Sequence, residues 1–208
     1  MISHFKEEAK KWDRKDRIEM AAAIWKCMSE NMVFNKSMQA ADIGAGTGLL
    51  SVPLAKNTAH VTAVDSSQEM LEMLKGKTTE NKINNIDTLL LDVDKARLTL
   101  SGLGAIISSM SLHHMEDTHG FFQKAYEALL PGGVIGIADL DMEDGGFHKN
   151  PGEMGVKHSG FERESLKKTA ALAGFRKIKF YTAAKIPRPH ADGSTSKYSV
   201  FLMTAVKK

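Results

Sequence analysis

The feature that most restricts the fold is an alternation along the chain. Short apolar runs, several ending in an acidic residue, are separated by stretches whose apolar residues recur three and four apart. Met38 to Ile43, His60 to Val64, Ile86 to Leu91, Gly104 to Ser109 and Val134 to Asp139 read as strands. Between them, Leu49 to Lys56 reads as a helix with Pro53 near its start, and Ser66-Ser67-Gln68-Glu69 as a capping box opening the helix of Met70, Leu71, Met73 and Leu74. A helix from Phe121 to Leu130 is expected to stop at Pro131-Gly132-Gly133. Runs that are apolar throughout, linked by helical crossovers, belong to parallel strands covered on both faces.

Three further segments complete the expectation. Ser3 to Met32 has helical spacing with a break near Asp13, so residues 1–36 read as an N-terminal helical arm or lid. The helix Glu162 to Ala173 ends at Gly174, and the strands Arg176 to Ala184 and Lys197 to Val206, joined by a polar connection through Pro187 and Pro189, pair antiparallel. The predicted architecture is α/β: one domain over residues 1–208, with a doubly wound, mostly parallel, seven-stranded Rossmann-like sheet and an antiparallel C-terminal pair.

Charge and cysteine content exclude several classes. The 28 Lys and Arg residues against 25 Asp and Glu leave +3, with the basic residues scattered, so nucleic acid is not an expected partner. Cys27 is the single cysteine, which rules out an internal disulfide framework and suits a reducing, cytoplasmic compartment. The first thirty residues lack the apolar stretch of an export signal, and no window approaches a membrane-spanning length, so membrane insertion is not expected. The composition says nothing of the oligomeric state.

The loop Asp42-Ile-Gly-Ala-Gly-Thr-Gly48 joins the first strand to the first crossover helix. In an open α/β sheet such a turn lets a ligand approach the backbone at the carboxyl ends of the strands. Asp65, 21 positions after Gly44, ends the second strand, where a carboxylate can accept ribose hydroxyl hydrogens. The dinucleotide pattern would need a small residue at 49, where Leu49 stands, and this counts against a nicotinamide oxidoreductase. A ligand bearing a carboxylate and an ammonium instead of phosphates could use the amides of Gly44 to Gly48 and the helix amino end. S-adenosylmethionine is such a ligand.

With these motifs in order, the sequence resembles the class I S-adenosylmethionine-dependent methyltransferases from about Trp12 to Phe201, and within them the small-molecule branch containing ubiquinone and menaquinone biosynthesis enzymes. Leu112-His113-His114-Met115 and Leu129-Leu130-Pro131-Gly132-Gly133 look like that branch's signatures around the fourth and fifth strands. The resemblance implies that Asp42, Gly44, Ala45, Gly46 and Gly48 approach the methionine part of the donor. It further implies that Asp65 and Ser66 hold the ribose, that Met70 flanks the adenine, that Asp92 and Val93 read its edge, and that Ser109 and Met110 lie beside the methyl donor. The reaction implied is methyl transfer to a small-molecule acceptor, leaving S-adenosylhomocysteine. Gly104-Ala105 departs from the aromatic-acidic pair that often opens the fourth strand of the family. A non-catalytic binder of S-adenosylmethionine is the alternative, and an NAD(P)-dependent oxidoreductase the more distant one.

Methyl transfer from a sulfonium needs alignment and exclusion of water, and a base only where the nucleophile is protonated. His113, His114, His148 and His158 are the candidates for that role. The run Asp139-Leu-Asp-Met-Glu-Asp-Gly-Gly-Phe-His148 is acidic enough to suggest a hard cation, but oxygen-rich loops are more often solvated, so no metal ligands are assigned. This segment reads instead as a substrate-specificity loop closing with the arm over the site.

Overall fold

The computed structural model describes residues 13–148, 150–189 and 195–208; residues 1–12 of the expected arm, Trp12 among them, lie outside them. In chain order the elements are α1 (Lys15–Asn31), β1 (Gln39–Ile43), α2 (Ser51–Ala55), β2 (His60–Asp65), α3 (Gln68–Glu80), β3 (Ile86–Leu90) and β4 (Leu103–Ser109). A 3-10 turn (Leu112–His114), α4 (Thr118–Ala128), β5 (Leu129–Leu140), α5 (Arg163–Leu172), β6 (Arg176–Pro189) and β7 (Thr195–Val206) follow. The strands form one seven-stranded sheet in the order β3-β2-β1-β4-β5-β7-β6. β1 to β5 are parallel, and β7 runs antiparallel to both its neighbours.

Strand order reverses between β1 and β4, which opens a crevice at their carboxyl ends. Each central strand is buried on both faces with period two. Ile106, Ile135, Ile137, Phe201 and Met203 point to one core with α4 and α5, while Ala105, Ile107, Leu140, Val200 and Leu202 point to another with α1 and α2. Ile24 and Met28 of α1 are fully buried in the second core. Gly104 has a packing reason: a Cβ there would lie 2.8 Å from Met38 Cγ.

Four expectations shift. The first crossover helix is only Ser51–Ala55, with Leu49 and Leu50 still in the turn after the glycine loop. The cap of α3 is Ser67 rather than Ser66, its Oγ accepting from Met70 N at 3.3 Å. Pro131-Gly132-Gly133 does not terminate a helix. α4 ends at Ala128 and β5 begins at Leu129, the extra residues forming a bulge between the pairs Leu103–Leu129 and Ala105–Val134. Pro187 and Pro189 sit within β6, opposite Lys197 and Thr195, rather than in a connection. Since β6 is an edge strand, a proline costs the ladder nothing where its missing N–H faces outward. Among the described residues no helix is long and apolar enough to cross a membrane.

Candidate functional site

The glycine loop is built by β1 and β2 together. Gly44 N and Ala45 N both donate to Val64 O (2.8 and 3.0 Å), Gly48 N donates to Ala45 O, and Gly46 N donates to Asp65 Oδ2 at 2.7 Å. These amides are therefore committed within the protein, and α2 is too short to offer a helix amino end. The expectation that they bind a donor carboxylate is corrected accordingly. The glycines instead supply space and backbone freedom. Gly44 and Gly48 have φ of +72° and +81°, and a Cβ would meet Ser111 Oγ at 2.1 Å in the first case and Leu74 Cδ1 at 2.2 Å in the second.

Two carboxylates stand behind the loop. Asp42 is buried and accepts from Ser51 Oγ at 2.6 Å; burial, opposed by that hydrogen bond and reinforced by Asp65, pushes its carboxyl up to about 7. Asp65 accepts from Ser67 N through Oδ1 (2.9 Å) and also from Ser66 N, so one side chain ties the loop to the head of α3. Burial raises its carboxyl as well, against the pull of those amides. Met70, at the head of α3, is buried.

Further along the edge, Asp92 is engaged by its own turn, with Lys95 Nζ at 2.6 Å and Asp94 N at 3.1 Å; the Lys95 ammonium holds its carboxyl below the usual range. Val93 is buried, and its carbonyl accepts from Lys124 Nζ. Ser109 closes β4, and Met110, with φ +51°, turns the chain out of the sheet while its amide donates to Ala138 O. A positive φ outside glycine is strained, and such positions gather at functional sites.

That turn delivers His113 and His114 beyond the end of β4. His113 is buried; its Nδ1 lies 2.7 Å from Asp139 Oδ1, and its amide donates to Asp139 Oδ2 at 3.2 Å. Leu140 N donates to Asp139 Oδ1 at 2.7 Å, so the carboxylate is fixed by three donors, and Nδ1 of His113 carries its hydrogen toward it. His113 Nε2 is left buried without a hydrogen-bond partner. His114 and His148 close around it, with ring centroids 4.1 and 5.0 Å from that of His113. Burial first, then the neighbouring His113, push His114 and His148 down to about 4, so both imidazoles are neutral at pH 7. His158 stands apart, Nε2 against Met115 O at 2.9 Å.

The acidic run is consumed internally. Asp139 serves His113, and Asp141 pairs bidentately with Arg163 (2.7 and 2.8 Å). Glu143 accepts from Phe147 N and Asp144 from Gly146 N. Asp139 was absent from the expected site, yet strand ends foretell it: β4 and β5 are adjacent with Ser109 opposite Ala138, so the residues just beyond must meet. Nor did the sequence reveal Asp13, which bridges Thr47 Oγ1 (2.5 Å) and Lys77 over the glycine loop.

Residues 40–133, from β1 through the β5 bulge, match the family model of the methyltransferase domain. That match takes in a little under half of the chain, which over this stretch is similar to methyltransferases. An uncharacterized methyltransferase of Mycobacterium tuberculosis is 32% identical over 96 residues, covering 46% of this chain and 47% of that protein. The malonyl-[acyl-carrier protein] O-methyltransferase of Priestia megaterium is 31% identical over 135 residues, covering 63% and 47%. The chain thus spans about half the length of these curated relatives. A SAM-dependent methyltransferase structure from Aquifex aeolicus superposes with TM-score 0.72 over 98% of both chains at 16% identity. Phosphoethanolamine N-methyltransferase 2 of Haemonchus contortus, solved with S-adenosyl-L-methionine, gives 0.70 at 17% identity over 91% of this chain and 52% of that one. At these identities the likeness establishes the Rossmann-like fold. The domain match displaces the nicotinamide alternative.

Proposed function

We propose that the protein transfers the methyl group of S-adenosylmethionine to a nucleophilic atom of a small-molecule acceptor. The observation that carries this reading is Asp65, a carboxylate fixed at the end of β2 by the Gly46 and Ser67 amides, facing a glycine loop at the switch point of the sheet. There it would hold the ribose hydroxyls, with Ser66 beside it, while Gly44, Ala45, Gly46 and Gly48 let the methionine part approach the backbone. Met70, Asp92 and Val93 would border the adenine, and Ser109 and Met110 the sulfonium. The acceptor would sit beyond β4 and β5 beside His113, His114 and His148. The segment 141–161 would close over it and exclude water.

Titration calorimetry with S-adenosylmethionine, S-adenosylhomocysteine and NAD tests the donor site. Both adenosyl ligands should bind and NAD should not, and Asp65→Ala should weaken them at least tenfold, about 1.4 kcal/mol. The acceptor class is tested with methyl-labelled S-adenosylmethionine and a cell extract split by size. Label in a low-mass product supports the reading; label confined to macromolecules overturns the small-molecule acceptor. Donor binding without any transfer would favour the non-catalytic binder.

A further inference from the structure

The three imidazoles beyond β4 and β5 converge on one another, and of them His113 is backed by a carboxylate while its other ring nitrogen is buried without a partner. We propose that His113 Nε2, His114 and His148 form a binding site for a divalent transition-metal ion of zinc-like character, with Asp139 orienting the first ligand from behind.

Ligand atoms of the three residues lie within 4.8 Å of one another. On a tetrahedral ion with bonds of 2.0–2.1 Å they would stand about 3.4 Å apart. The needed closure is small, and His148, in the loop between β5 and α5, can supply it, whereas His113 and His114 are set by the 3-10 turn. The tautomer is also prepared. Asp139 accepts the Nδ1 hydrogen of His113, leaving the Nε2 lone pair directed away from the carboxylate, the arrangement in which a carboxylate behind the ring stiffens a metal-binding imidazole. His113 Nε2 is the second, independent sign: buried, side chain 1% exposed, and unpartnered, it is a lone pair the protein itself does not use. An all-nitrogen set selects zinc and its neighbours over magnesium or calcium.

Three protein ligands leave the fourth position of such an ion open. This consequence rests on the methyltransferase reading. An acceptor taking that position would have its coordinated O–H or S–H made more acidic by the ion, its proton leaving to solvent. No imidazole is then needed as base.

The test uses full-length, chelator-treated protein purified without a histidine tag. It is titrated with Co²⁺, whose visible absorption reports four-coordinate geometry, and then competed with Zn²⁺. One tightly held Co²⁺ per chain with an intense visible spectrum is expected, displaced by Zn²⁺ and weakened at least tenfold in His148→Ala, a loop variant that leaves the sheet intact. Asp139→Asn should keep the stoichiometry and weaken binding by about 10- to 100-fold. Binding that is weak, pale and equal in wild type and His148→Ala overturns the site. S-adenosylmethionine calorimetry on the same samples separates the two readings. Donor binding without Co²⁺ binding sinks only the metal site; Co²⁺ binding without donor binding sinks only the methyltransferase reading.

Discussion

Asp42 and Asp65, two carboxylates at neighbouring strand ends, are raised by the same cause, burial, but serve differently. Asp65 faces the edge of the sheet and is tied to backbone amides; Asp42 lies wholly inside and accepts from the Ser51 hydroxyl. With its carboxyl near 7 in the folded protein, Asp42 keeps a proton between about pH 4 and 7 that the unfolded chain has released. The folded state then binds more protons than the unfolded one, so stability falls as pH rises through that window and levels off above it. His114 and His148, held down near 4, act in the opposite sense between about pH 5 and 6.5, so the Asp42 contribution is read as a difference: the urea midpoint of the wild type relative to that of Asp42→Asn, which keeps an acceptor for Ser51, should fall between pH 5 and pH 8. Gly48→Ala combines a φ of +81° with a Cβ driven into Leu74, and should lower unfolding free energy by about 2 kcal/mol in the same assay.

Among the elements, the segment 141–161 holds the most consequence for the site. It is tied down at its ends: Met142 N to Phe161 O, Glu143 N to Ser159 O, Phe161 N to Leu140 O, and Asp141 to Arg163. In its middle, the amides of Lys157 and His158 both donate to His113 O, so the loop is latched to the histidine turn itself. The Asp141–Arg163 pair is partly exposed and worth about 1 kcal/mol. Arg163→Ala should therefore raise hydrogen exchange of amides 142–160 about fivefold and leave β1, β4 and β5 unchanged. The crossover units were legible in the sequence because apolar periodicity and strand-end acids are local signals. The bulge at Pro131-Gly132-Gly133 and the full length of β6 were not, since both depend on what lies alongside: Lys207, whose amide and carbonyl bond Gly133 and Gly132, and β7. The glycine loop and the strand-end position of Asp65 were legible in the sequence, but not the fact that the loop amides are already taken by Val64 and Asp65. The histidine cluster was legible as residues and not as a group, because His148 reaches His113 only after a chain reversal that no spacing announces.

At the scale of the molecule, α1 connects what the sheet separates. Its buried face, Ala21, Ile24 and Met28, packs in the core shared with β7, while Asp13 just before it reaches Thr47 and Lys77 at the glycine loop. The helix is thus expected to unfold with the sheet. Ile24→Ala should cost about 2–5 kcal/mol, and in a Trp12→Phe background the fluorescence of Trp25, stacked on Phe34 at 5.6 Å, should report the same midpoint as far-UV circular dichroism. Separate midpoints would make α1 an independently opening cover. The prolines of β6 bear on a different matter, the behaviour of the chain in concentrated solution. A sheet's outermost strand is a template on which a stray strand can zip, and growth of that kind ends in fibrils. With Pro187 and Pro189 two residues apart in the outermost strand, that template lacks consecutive donors along its distal stretch, and stacking of sheets edge to edge through β6 is interrupted there.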